Sequence, residues 1–313
     1  MRMPPDVRDW VRSVFRSCNE RTAVALSTMP TTHEAALDQA FVTRAADFAG
    51  PVQFPSQWVV TIGTHFLGGG RHFGAWEIAD IGVLLQFRRG GKLVKSKVLL
   101  LQSKRLYPTE EVFDEDSHFE YRLGFSRLFR EDTAFRAVTA PRTFSFQDAS
   151  KYEALKVGDG QYVAIKDYET QYNIPVYYLL YHPVRIPSTT VLPRAAGAPP
   201  RTDEDDFVGA RVIPAGQVRS VLANRQGGYQ PAWADFQTQV GSPAAKTSRT
   251  PGWLVEEFIA DLGVDCKVGH IASSASDPGL FRIFNQRTGP ISSAIAVAFD
   301  APPGTALEGD DGP

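Results

Sequence analysis

Cysteine is almost missing from this chain of 313 residues: Cys18 and Cys266 are the two it has, and they lie far apart. So sparse a pair cannot staple a disulfide framework or build a cysteine-rich metal site, which points to a reducing compartment. Long hydrophobic runs are missing too. Stretches such as Val98–Leu101 are far too short to span a bilayer. The segment Met1 to Arg16 carries Arg2, Asp6, Arg8, Asp9, Arg12 and Arg16 in place of the apolar stretch of a signal peptide, so the expectation is a soluble cytoplasmic protein. Neither sign of charge is in excess, with Lys+Arg at 33 against Asp+Glu at 35 and a net charge of −2. A uniformly basic nucleic-acid coat is thereby excluded, while a local basic patch is not. The six histidines, 33, 65, 72, 118, 182 and 270, show no ligand spacing, and position 37 after His33-Glu34 is Leu, so no zincin helix exists. Nucleophile elbow, Walker loop, dinucleotide fingerprint and internal repeats are all absent.

What is present is ordinary globular composition, 43% hydrophobic and 22% charged, which excludes wholesale disorder or a fibre. Val7, Trp10, Val11 and Val14 give Asp6–Arg16 one apolar stripe of helical period. Thr31 followed by Glu34 reads as a capping box opening a second helix, stopped by Gly50-Pro51. The period then changes. Trp58–Ile62, Trp76–Phe87 and Leu93–Leu106 read as strands, the last two joined by a hairpin through Gly90-Gly91. Consecutive apolar positions in Val83-Leu84-Leu85 and Val98–Leu101 imply a sheet covered on both faces. Glu110–Glu120 holds six acids and reads as a loop or lid. Helical pattern follows at Phe119–Phe129 and from Ala149 to Tyr168, then a strand at Ile174–His182.

Beyond a Pro-rich linker, residues 188–206, the expectation is an accessory region over 207–300. It comprises a short segment Ala210–Ile213, a helix capped by Thr250-Pro251, and strands Leu280–Phe284 and Ile291–Phe299. The tail 301–313 reads as disordered.

The chemistry concentrates on Asp80 and on Gln102-Ser103-Lys104. Gln102 and Lys104 share a strand face, and if paired positions in the hairpin sum to 182, Asp80 stands opposite Gln102 with Lys104 one diagonal step away. A shift by one residue would put Asp80 and Gln102 on opposite faces. Asp80 and the Gln102 carbonyl suit a hard cation such as Mg²⁺, and Lys104 would position the attacking water. Glu34 is the candidate for a further acid, with Glu77 in reserve. Each of these has a plainer reading: Asp80 as a strand-entry acid, Lys104 as a lysine reaching solvent, and Glu34 as a member of the capping box.

Glu77-Ile-Ala-Asp80 followed by Leu99-Leu-Leu-Gln102-Ser103-Lys104, in the order helix, three strands, helix, strand, resembles the PD-(D/E)xK nuclease superfamily, in a QxK variant similar to its Mrr-like branch. The resemblance covers roughly positions 31 to 187. It implies an α/β restriction-endonuclease-like core, a three-stranded antiparallel meander with flanking helices and a further strand, over 1–187, with a C-terminal α+β extension. It further implies Mg²⁺- or Mn²⁺-dependent hydrolysis of DNA in anti-phage defence, often beside a partner protein, with Asp80, Gln102 and Lys104 catalytic and Asp80, Gln102 and Glu34 on the metal. Gln102 departs from the usual carboxylate. The chemistry does not separate DNA from RNA. From Ile81 to Leu106 there is no acid, while Arg88, Arg89, Lys92, Lys95, Lys97, Lys104 and Arg105 are basic. Of these Arg88, Arg89, Lys92, Lys95 and Arg105 are the candidate nucleic-acid contacts, the plainer reading being a solvated hairpin tip. Gln161 is a further residue whose helix could approach the site. The alternative function is a catalytically inactive scaffold or nucleic-acid-binding subunit of a defence complex.

Overall fold

The computed structural model describes residues 3–66, 75–112, 142–192, 194, 197–202, 206–237, 252–264, 268–274, 276–285 and 290–305. Two helices come first, α1 (Pro5–Thr28) and α2 (Glu34–Ala46), then strands β1 (Gly50–Gln53), β2 (Val59–Phe66), β3 (Ala79–Arg89), β4 (Lys92–Arg105), β5 (Thr109–Val112) and β6 (Arg142–Phe146). Helix α3 (Gly160–Tyr172) leads to β7 (Val176–Tyr181), β8 (Ser188–Leu192) and β9 (Arg211–Pro214). After the short helices α4 (Ala215–Val221) and α5 (Trp233–Gln237) comes β10 (Trp253–Leu254). A helical turn Val255–Glu257 runs on as a π-helix, Phe258–Gly263, together α6. Strand β11 (His270–Ala272), a helical segment Pro278–Leu280 continuing as Phe281–Asn285, and β12 (Ile291–Ala301) complete the chain. Among the described residues no helix is long and apolar enough to cross a membrane.

The architecture is mixed α/β. One nine-stranded sheet has the order β1-β2-β12-β3-β4-β7-β9-β10, with β11 also on β4, and β5-β6-β8 form a small second sheet. Strand β4 is central, which is why Val98 to Leu101 are all fully buried and why the run lacks polar alternation. Strand β7 pairs parallel to β4, and a parallel neighbour needs a crossover, part of which α3 supplies. The N-terminal stripe is longer than the sequence pattern indicated: Val7, Val11, Val14, Phe15, Cys18, Thr22 and Leu26 are all buried along α1.

Several expectations change. The antiparallel meander is interrupted, because β12 lies between β2 and β3, antiparallel to the first and parallel to the second. The partition at 187–206 does not follow the packing. Strands from both sides of it share one sheet and one hydrophobic core, and Ser188–Leu192 of the expected linker is itself a strand. A buried amide reinforces this: Asn19 of α1 accepts from the Ala210 N–H at 2.5 Å and donates to its carbonyl at 3.3 Å. Leu280–Phe284 is helical rather than extended, since Asp277 caps the Leu280 N–H at 3.0 Å and Pro278 holds the first helical position. Trp253 pairs with Val212 as a strand, so the C-terminal helix begins at Val255, while Thr250 and Pro251 lie outside the described residues. So do Phe119–Phe129, most of the acidic segment and the tail from 306 onward. The helix expected from Ala149 starts at Gly160, where Asp159 accepts from the Tyr162 N–H at 2.8 Å. The Thr31–Glu34 box is not formed either: His33 is the N-cap residue of α2, with no side-chain cap.

Candidate active site

The β3–β4 turn decides where the site residues fall. Gly90 and Gly91 have φ of 57° and 75°, the left-handed values that a two-residue hairpin of the primed type requires and glycine adopts without a Cβ clash. Arg89 pairs with Lys92 and Arg88 with Leu93, but Phe87 pairs with Lys95, so Val94 is the extra residue of a β-bulge. Without the bulge, paired positions would sum to 181, and Asp80 would turn away from Gln102. With it the sum is 182 down to Ile81↔Leu101, the last pair of the ladder. Asp80 then stands where the backbone pairing ends. Its carboxylate takes the next free donor, the Ser103 N–H, at 2.7 Å on Oδ2.

Gln102 Nε2 and Ser103 Oγ also donate to Asp80 Oδ2, the second at 2.8 Å. Oδ1 therefore has no hydrogen-bond partner among the described residues. Lys104 is buried, and its Nζ lies 3.4 Å from Glu34 Oε2 in the first turn of α2. The capping box being unformed, Glu34 is committed to Lys104 rather than to its own helix start. Asp80, Gln102, Lys104 and Glu34 are thus brought together from three elements. Glu77 lines the same cavity as Asp80, and Gln161, in the first turn of α3, donates to the Glu77 carbonyl at 3.1 Å.

Three further residues belong to the cluster. Asp38 Oδ2 lies 2.8 Å from Ser103 Oγ, and Asp38 Oδ1 accepts from the Tyr181 hydroxyl at 2.8 Å. Asp38 is one helical turn beyond Glu34, an i,i+4 relation that places both acids on one face of α2. That spacing was the signal available in the sequence. Ser103 and Tyr181 left no such signal, being one polar residue between two others and one tyrosine among several. Ser103 Oγ has one hydrogen and two carboxylate oxygens at equal distance, so a proton shared within the Asp38–Ser103–Asp80 chain completes the bonding. The electrostatics agree. Burial raises the Asp38 carboxyl well above the usual range, with the charge of Asp80 adding to it and the Ser103 and Tyr181 bonds opposing it. Burial also raises Asp80 and Glu34, against the lowering effect of Lys104 on each.

A cavity of about 420 Å³ opens beside Asp80, lined among others by Asp38, Phe66, Glu77, Ser292 and Ser293. Among the described residues no three His, Cys, Asp or Glu side chains group as metal ligands. The oxygens that fit a hard cation are of a different kind: Asp80 Oδ1, and Gln102 Oε1, which is buried with no hydrogen-bond partner. A half-turn of the amide exchanges Oε1 and Nε2. The same side chain can therefore either donate to Asp80 or lend its oxygen to a cation on Asp80, with waters filling the rest of the shell.

The basic residues do not gather at this cluster. Arg105 is buried and its guanidinium serves the carbonyls of Pro30 and Thr32, 3.9 Å from the centre of the Tyr107 ring. It is a structural arginine, turned inward by the alternation that turns Ser103 toward α2. Lys97 is buried as well, donating to the Gly263 and Val264 carbonyls at 2.8 and 3.2 Å at the end of α6. Arg88, Arg89, Lys92 and Lys95 sit at the hairpin tip, where Arg88 bonds Gln86 at 2.7 Å and Arg89 the Thr305 carbonyl at 3.3 Å. At ~3.3 Å per residue the tip is roughly 30 Å along β3 from Asp80.

No protein-family model, curated protein sequence or solved structure matches the chain.

Proposed function

We propose that this chain is a metal-dependent nuclease that hydrolyses phosphodiester bonds of DNA, with its active centre at Asp80, Gln102, Lys104 and Glu34. The observation that carries the reading is the convergence of an acid, a side-chain amide and a buried lysine where β3 begins and β4 ends. Asp80 and the Gln102 oxygen would hold the cation, Mg²⁺ or Mn²⁺, which supplies a polarised phosphoryl oxygen and a more acidic water. Lys104 has donors to orient the attacking water and to offset the charge gathering on phosphate. Glu34 fixes the direction of Lys104, and Asp38 with Ser103 and Tyr181 holds Asp80 in place. The hairpin tip would meet the phosphate backbone about 30 Å from the cut, not at it. Resemblance to the restriction-endonuclease-like core rests on the β3–β4 hairpin, the crossover through α3 and the parallel β7. The same resemblance supports an intracellular role in anti-phage defence alongside a partner protein.

The test is cleavage of plasmid DNA and of RNA with Mg²⁺, Mn²⁺ or EDTA, by the parent and by Asp80→Ala and Lys104→Ala. Metal-dependent cutting by the parent, lost in both variants with folding intact, is the expected outcome. Variants that cut like the parent would refute the assignment.

One observation favours a second reading, a catalytically inactive nuclease fold that binds nucleic acid. Asp80 Oδ2 already receives three donors, from Gln102 and Ser103, so the protein's own donors hold this acid without a cation. A parent that binds DNA but cuts neither DNA nor RNA under any of these conditions would establish it.

A further inference from the structure

Arginines elsewhere on the surface have acids beside them: Arg12 has Asp261, Arg44 has Asp47 and Arg225 has Asp235. The β3–β4 hairpin tip differs. Lys92 is exposed and Lys95 half-buried, and neither ammonium has a hydrogen-bond or ion-pair partner among the described residues. Arg88 bonds a neutral amide, Gln86 Oε1, and the β12 ladder sets Asp300 opposite it, so the positive charge left over belongs to the two lysines. The tip also stands at a fixed distance from Asp80. Between them β3 is paired on both sides, with β4 from Ile81 to Arg89 and with β12 from Ala79 to Arg89. Two hydrogen-bond ladders thus hold the separation at roughly 30 Å. Alternation sets Asp80, Leu84, Gln86 and Arg88 on one half-buried face, and Ile81, Val83, Leu85 and Phe87 on the buried one. The acid of the candidate site and the tip therefore lie at two ends of one stiff strand.

We infer that a nucleic-acid duplex is gripped at two points, at the Asp80 cluster and at Lys92 with Lys95. A duplex too short to reach both is held by one alone. The inference rests on the nuclease reading and adds a minimum length to its substrate. A duplex advances ~3.4 Å per base pair, so roughly 30 Å corresponds to about nine base pairs. It is straight over that length, its persistence length being about 150 base pairs. Two rigid bodies then meet without either being reshaped. A single strand of the same span must first be ordered, and that ordering weakens its binding. Each lysine that meets a phosphate releases counterions, so the second grip is read as salt dependence.

The experiment is fluorescence anisotropy with labelled DNA stems of about 6, 9, 12 and 18 base pairs, each closed by a short loop to keep it paired. Calcium replaces magnesium, since it takes the same oxygen ligands. Added length by itself raises affinity only in proportion to the extra positions it offers. The parent should show a steeper step, roughly tenfold, between about 6 and 12 base pairs. Lys92→Ala/Lys95→Ala should abolish the step, bind the shortest stem like the parent, and lower the salt slope on the longest by about two. A parent without the step, a step that survives the lysine substitutions, or tighter binding of a single strand of equal length would overturn the two-point grip. So would lysine-dependent binding as strong for the shortest stem as for the longest. A protein that cuts plasmid but shows no lysine-dependent step loses this inference and keeps the nuclease assignment. One that shows the step and cuts nothing does the reverse.

Discussion

Acid sensitivity can be worked out from one buried imidazole. His182 follows β7 and is fully enclosed. Its Nδ1 lies 2.6 Å from the Gly209 carbonyl, which can only accept, so Nδ1 carries the hydrogen. Nε2 is then the acceptor for the Tyr152 hydroxyl at 2.6 Å. The ring is neutral with both nitrogens satisfied. Burial pushes its pKa down to about 3, the Gly209 bond working against that and Arg211 with it. In the unfolded chain a histidine takes its proton near pH 6.5. The native state refuses that proton until about pH 3, so the stabilisation is complete above ~6.5 and drains away as pH falls. Each unit costs about 1.4 kcal/mol, or roughly 3 kcal/mol between pH 6.5 and 4, out of a total of about 5–15 kcal/mol. His182→Gln keeps an N–H for Gly209 and an oxygen for Tyr152 but cannot titrate. Burial raises Glu34, Asp38, Asp80 and Glu256, which works in the opposite sense but equally in both proteins, so it cancels from the difference. Urea denaturation across this pH range should show the parent losing about 3 kcal/mol more than the variant. Equal pH slopes for the two, or a His182 resonance that titrates near 6.5, would refute the reasoning.

Three other perturbations separate the roles assigned above. Gln102→Glu removes a donor from Asp80 and sets a second carboxylate beside it, a repulsion of up to about 4 kcal/mol at 4 Å and an effective dielectric constant of 20. Its melting temperature should fall in EDTA and rise with magnesium more than the parent's does; an identical magnesium response would count against a cation at this position. Arg105→Ala strands two buried carbonyls and should cost about 2–4 kcal/mol, with Arg105→Lys a poor rescue because a point charge does not reproduce the fork. Lys92→Ala, at the exposed tip, should change stability by less than about 0.5 kcal/mol. Comparable urea midpoints for the Arg105 and Lys92 variants would contradict the inward placement of Arg105.

Local pattern determined much of this protein. Apolar period identified α1 and the strands around Asp80, and the face-sharing of Gln102 with Lys104 followed from strand geometry alone. Asp277-Pro278 is a legible helix start, N-cap and first-turn proline together, that outweighs the β-like composition of Leu280–Phe284. The rest depended on contacts between distant segments. Composition cannot say that β12, from the far end of the chain, closes between β2 and β3. That choice belongs to hydrogen-bond ladders whose partners are more than two hundred positions apart. Nor could spacing show that Val94 would bulge, although that single extra residue decides whether Asp80 faces Gln102 or turns its back on it. Glu34 had two possible partners, its own helix start and Lys104, and packing chose the second. Arg105 looked like its basic neighbours because charge is visible in a sequence and burial is not; strand alternation and the carbonyls of Pro30 and Thr32 drew it inside. Sequence specifies which groups a strand or helix presents on one face, since that needs only the period of the backbone. Which groups then meet across elements is settled by tertiary packing, because each buried polar atom must find a partner wherever the fold brings one.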